Sequence, residues 1–208
     1  MEPYLTALDE HFSARFSDYV KISALEGYEM PEVIYVAADG NIARRDSSVM
    51  RLDRQKNKAE LLQKFKAGLE DTDFTFSFTF IPFLERVRDK FRKYTFAKIL
   101  PTVLRCYDET VVSAGEKLEI EPHLWQKIVK GKLYPQKNTV LALALVCRMR
   151  PQDVNNLLVV CGFSLDETNV RDVVVQYLLE RGIFNEEMRD NCLAEYKIRS
   201  LPIRKETV

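Results

Sequence analysis

A chain of 208 residues with 46% hydrophobic side chains has enough apolar mass for one large or two small domains around a real core. Its 31 basic and 31 acidic residues cancel, so bulk charge gives no attraction for nucleic acid, membrane or polyanion, and any such preference has to be local. Four cysteines without CxxC spacing and two histidines, His11 and His123, leave no zinc quartet and no histidine-based catalytic pair.

The cysteines sit beside apolar neighbours such as Val146 and Leu193 and read as reduced core thiols. Charges interrupt every hydrophobic stretch, so neither a signal peptide nor an apolar run of about 20 residues is expected. The reading is a soluble, cytoplasmic chain with no membrane contact.

From Tyr4 to about Ile22, Leu5, Leu8, Phe12, Phe16, Tyr19 and Val20 recur at spacings of three and four, which predicts an amphipathic helix. "VIYVAADGN" predicts one strand and a tight turn at Asp39-Gly40-Asn41. Leu61, Leu62, Phe65 and Leu69 predict a helix from about Lys58 that stops near Gly68. "FTFSFTF", residues 74–80, alternates strictly and puts four phenylalanines on one face of a strand. Pairing with residues 33–37 in the core is the expectation; an aromatic platform for single-stranded bases is the alternative, and the basic interleaving of such platforms is missing. "FLERVRDKFRKY" then predicts a helix whose exposed face carries Arg86, Arg88, Lys90, Arg92 and Lys93, as a domain link, a support for a polyanion or a solvated face.

From Thr95 the rhythm changes to short helices with legible ends. Thr95 is placed to cap a helix toward Tyr107, which Pro101 must kink or restart. "TVLALALVCRM", residues 139–149, is apolar almost all round and predicts a central buried helix. Pro151 suits a first turn, and Gly162 closes that helix. Ser164 and Glu167 have capping-box spacing ahead of Val170, with Gly182 as the stop. Asn185 is placed to cap a last helix to about Tyr196, and the tail after Leu201 reads as frayed. The fold class is α-rich: an all-α helix-turn-helix bundle over 93–200, a small α+β domain over 1–92, and a tail over 201–208.

Between Val112 and Met149 the residues fall into helix-turn-helix order. Gly115 allows two helices to approach, Leu118 and Ile120 flank the turn, and Leu124, Trp125 and Ile128 hold down the second helix, about 121–130. Trp125 reads as a core anchor on that stripe. Pro122, His123, Gln126, Lys127 and Lys130 remain outward. In such a unit the second helix enters the major groove with its first turn nearest the base edges. Gln126 then suits adenine and His123 guanine, while Lys127, Lys130, Lys132 and Lys137 suit phosphates, which contribute affinity without sequence information. Residues 122–152 hold six basic side chains, these four lysines with Arg148 and Arg150, and no acidic one.

The segment from Thr95 to Tyr196 resembles the lambda-repressor-like helix-turn-helix module attached to some bacterial macrodomain proteins and to other small bacterial regulators. The residues that carry this are "TFAKIL", "LWQKI", "YPQKNTVLALAL", "LLVVCGFSLDETNVRDVVVQYLLERGIF" and "NCLAEY". The resemblance implies a compact helical module of bacterial origin with a nucleic-acid role. Glu119 stands where such modules favour glycine or asparagine, and Pro122 where a polar or basic residue is common. Residues 1–90 lack the glycine-rich loops of a macrodomain.

These readings converge on a DNA-binding regulator that docks on duplex DNA, needs no cofactor, and uses its N-terminal part for a homodimer or a partner protein. The competing expectation is a protein-interaction subunit built on the same scaffold. Nothing resembles a nucleophile elbow, a phosphate loop or a metal cluster, and "GNIARRDSS" reads as a polar loop, so an enzyme is not expected.

Overall fold

The computed structural model describes residues 2–17 and 59–199, apart from 75 and 77, with the backbone of two short strands between them. Helix is the dominant element. α1 (Pro3–Arg15) has proline at its first position, where a missing N–H goes unneeded, and turns Leu8 and Phe12 inward. β1 (Ile34–Val36) and β2 (Ile42–Arg44) pair antiparallel, with Ile34 opposite Arg44. α2 covers 59–67 and is followed by Gly68. The far end of the expected first helix, at Tyr19 and Val20, lies outside the described residues, as do the 39–41 turn, most of "GNIARRDSS" and the tail.

β3 (Phe78–Phe80) pairs antiparallel with β4 (Leu133–Pro135), Phe78 opposite Pro135 and Phe80 opposite Leu133. This corrects the expected pairing of the phenylalanine strand with residues 33–37. β1 and β2 close on each other across a short connection, which costs little chain entropy, and the phenylalanine strand takes its partner from the helical half. Along it Phe74 is fully buried, Phe76 and Phe78 are half-buried and Phe80 is exposed, so the strand runs outward from the core and offers no uniform aromatic face.

The remaining helices are α3 (Phe83–Phe91), α4 (Phe96–Arg105), α5 (Val111–Lys117), α6 (Pro122–Val129), α7 (Lys137–Val146), α8 (Pro151–Val160), α9 (Val170–Arg181) and α10 (Glu186–Glu195). α4 continues through Pro101, and Thr95 precedes it without a side-chain cap. α8 has Pro151 in its first turn. α9 ends at Gly182 in the left-handed conformation, φ 64°. Its start differs from the Ser164–Glu167 expectation: Asn169 is the cap, its side chain accepting from the Asp172 N–H. Asp166 spends its Oδ1 on the N–H and hydroxyl of Thr168, at 2.8 and 2.7 Å, and so holds the preceding residues in a turn. Asn185 caps α10 by accepting from the Met188 N–H at 3.1 Å.

α7 is the hub, with every residue from Thr139 to Leu145 buried. Leu8, Phe12 and Phe74 belong to the same buried cluster as Leu104, Leu143 and Leu178, so the boundary read at residue 92 falls inside one core. Polar contacts tie the same parts together. Lys66, itself buried, reaches Asp9 at 2.5 Å and Glu195 at 2.7 Å. The Tyr177 hydroxyl donates to the Tyr4 carbonyl at 2.7 Å, and that of Tyr196 to Asp9 at 2.9 Å. No helix among the described residues is long and apolar enough to cross a membrane.

Candidate nucleic-acid interface

The helix pair α5–α6 is assembled by a cap, a glycine and a strained turn. Thr110 and Ser113 exchange side-chain and backbone hydrogen bonds at 3.0 and 2.9 Å, a reciprocal cap that satisfies two orphan donors of α5. Gly115 lies directly against Trp125, and the indole Nε1 donates to the Val111 carbonyl at 2.6 Å. The chain then reverses at Glu119, whose φ of 52° is the left-handed conformation that glycine or asparagine adopts most easily. Leu118 and Ile120 on either side of it are buried.

α6 begins with Pro122 and is clamped by Trp125 and Ile128, both buried. Its outer side presents His123, Gln126, Lys127 and Lys130 to solvent, and Lys132 is exposed just beyond its end. Nothing among the described residues covers this row. Charge along it is graded. Glu119 and Glu121 are exposed just ahead of the first turn, and His123 Nδ1 lies 2.5 Å from the Glu121 carboxylate. The other end is cationic, and Lys127, Lys130 and Lys132 have no carboxylate partner among the described residues.

Lys137 is placed differently from these three. It is half-buried and paired with the buried carboxylate of Asp172 on α9, whose pKa is raised by burial while Lys137 opposes the rise. Arg150 is similarly occupied, 3.1 Å from Asp153 and against Tyr107. Arg148 lines a separate cleft with Glu109, Glu116 and Glu186. Six cations that are consecutive in sequence therefore divide in space, and three of them stay together at the end of α6.

Other cations join those three. The β3–β4 pairing carries α3 alongside the end of α6, so that Arg86 and Lys90 border the same groove as Lys130 and Lys132. The helix is fixed there by two anchors. The Tyr134 hydroxyl donates to Asp89 at 2.6 Å, and burial, then that carboxylate, pushes the phenol up to about 12. Lys98 donates to the carbonyls of Asp89, Lys90 and Arg92 at 3.0, 3.0 and 2.6 Å, where an ammonium complements a helix C-terminus. The basic character of α3 was readable in the sequence, but its place beside α6 depended on a strand pairing that carries no local signal.

No family model matches this chain, and no curated protein or solved structure shows similarity to it.

Proposed function

We propose that the chain is a cytoplasmic bacterial regulator of helix-turn-helix type that binds duplex DNA through α6. The observation that carries this reading is the open outer row of α6, with Lys127, Lys130 and Lys132 unpaired among the described residues while Trp125 and Ile128 lock the opposite side. In that reading His123 and Gln126 meet base edges and the three lysines meet phosphates, joined by Arg86 and Lys90 from α3. Lys137 serves the fold through Asp172 and is not counted among the phosphate contacts.

Titration of a mixed-sequence duplex against the full chain tests it. Binding is expected to weaken with salt with a slope of about −3 to −5 in a log–log plot, each neutralised phosphate adding about −0.9. Lys127→Glu with Lys130→Glu should remove binding, and affinity indifferent to salt and to both substitutions would end the proposal. A second reading, a subunit that uses this scaffold to grip a protein, is favoured by Glu119 and Glu121, which crowd the first turn with negative charge where a phosphate would approach.

A further inference from the structure

Among the described residues, nothing packs over the apolar side of α3. The helix buries no side chain. Phe83, Leu84, Val87 and Phe91 fall within an arc of about 100° at helical spacing, yet Phe83 is 68% exposed, Leu84 80% and Phe91 85%. Such a stripe ordinarily faces a core, and a contiguous exposed one marks an interaction site. The helix is nonetheless held in position by the Asp89–Tyr134 and Lys98 anchors.

Between α3 and residues 128–134 runs a groove of about 470 Å³. Ile81, Phe96, Ile128 and Leu133 line it, and five cations border it, of which Lys98 is committed to the carbonyls at the end of α3 while Arg86, Lys90, Lys130 and Lys132 are not. Arg86 lies 5.6 Å from the Phe80 ring centroid and 5.7 Å from that of Phe83, and its buried Nε has no hydrogen-bond partner. The one carboxylate at the groove, Asp89, is already taken by Tyr134 and Arg92. Four uncommitted positive groups thus surround an apolar trough whose one carboxylate among the described residues is engaged elsewhere.

We infer that this groove seats a short acidic amphipathic helix of a partner protein. A second copy of the chain would bring like charge, since residues 83–94 carry five basic and two acidic side chains. An anionic bilayer can lie on the stripe but cannot enter a concave groove, and duplex DNA would engage the cations while leaving the phenylalanines in water. A helix with leucine or phenylalanine at every third or fourth position and glutamates flanking them fills the trough and meets the four cations. α3 is about 13 Å long at 1.5 Å per residue, so a partner of roughly three turns covers it. The inference holds whether or not α6 meets DNA; if it does, duplex and peptide compete for Lys130 and Lys132.

The test uses the full chain and three probes: a fluorescein-labelled amphipathic peptide of about four helical turns with leucines on one face flanked by glutamates, the same peptide with lysines for glutamates, and phosphatidylserine vesicles. The acidic peptide should bind saturably at micromolar concentration, shift the amide resonances of Val87, Ala97 and Val129, and lose at least about tenfold in affinity with Val87→Glu. Arg86→Glu with Lys90→Glu should transfer binding to the lysine peptide, which controls for mere unfolding. Lys127→Glu, outside the groove, should leave peptide affinity unchanged, so failure on DNA is separable from failure here. Absence of peptide binding, equal binding of both peptides by the unsubstituted chain, or vesicle binding that requires Val87 while the acidic peptide does not bind, would each overturn the inference.

Discussion

A methyl group added at Gly115 would stand 2.4 Å from Cδ1 of Trp125, so the α5–α6 pair is closed by backbone pressed against an indole. The ring cannot retreat without giving up its 2.6 Å hydrogen bond to the Val111 carbonyl. Gly115→Ala should therefore destabilise the chain by about 1–3 kcal/mol, the usual cost of overpacking a filled core, despite the better helix propensity of alanine. Urea unfolding checks this, and unchanged or increased stability would show that α6 has room to shift.

Lys66 offers a second test. Its buried ammonium is shared by Asp9 on α1 and Glu195 on α10, and removing it leaves two carboxylates facing one another without a cation. Lys66→Ala should cost about 3–5 kcal/mol, the penalty for breaking a buried ion pair from one side. Adding Asp9→Asn should recover part of the loss, which a double-mutant cycle measures.

His11 should make stability depend on pH. Burial depresses its pKa below 6.5 and outweighs the attraction of Glu180, and its Nε2 is buried without a partner. The unfolded chain therefore binds the proton more readily than the folded one. This contribution is fully present above 6.5 and is lost as pH falls through the lower folded value. Thermal melts between neutral and mildly acidic pH should show a shallower decline for His11→Gln than for the unsubstituted chain.

Tyr134 is expected to act on α3 alone. Its hydroxyl bond to Asp89 is one of the two anchors, with Lys98, of a helix with no buried side chain. Tyr134→Phe should speed amide hydrogen exchange across residues 83–91 while leaving α7 protected, because α3 opens locally at a free energy well below that of the core. Equal acceleration in both helices would mean that α3 is integral to global stability.

Helix ends were the most legible part of this fold. Pro151, Gly162, Gly182 and Asn185 mark them where expected, because caps and left-handed stops are settled by a residue and its nearest neighbours. Glu119 was identifiable as the residue at the α5–α6 turn, and the strain it accepts there appears as its positive φ. Ser164 misled because its spacing to Glu167 satisfied a local rule while Asp166 organised the same residues into a turn.

Residue order alone established an α-rich chain, a central buried helix, read over 139–149 and found to end at Val146 with Arg148 exposed beyond it, and an outward row of His123, Gln126, Lys127 and Lys130, since each follows from period and burial within one helix. Only the folded chain decided which cations remain available. Asp172 takes Lys137 and Asp153 takes Arg150, whereas β3 pairing with β4 brings Arg86 and Lys90 to Lys130 and Lys132. Those outcomes depend on how packed elements meet, and the field at a surface is a sum over neighbours in space rather than neighbours along the chain.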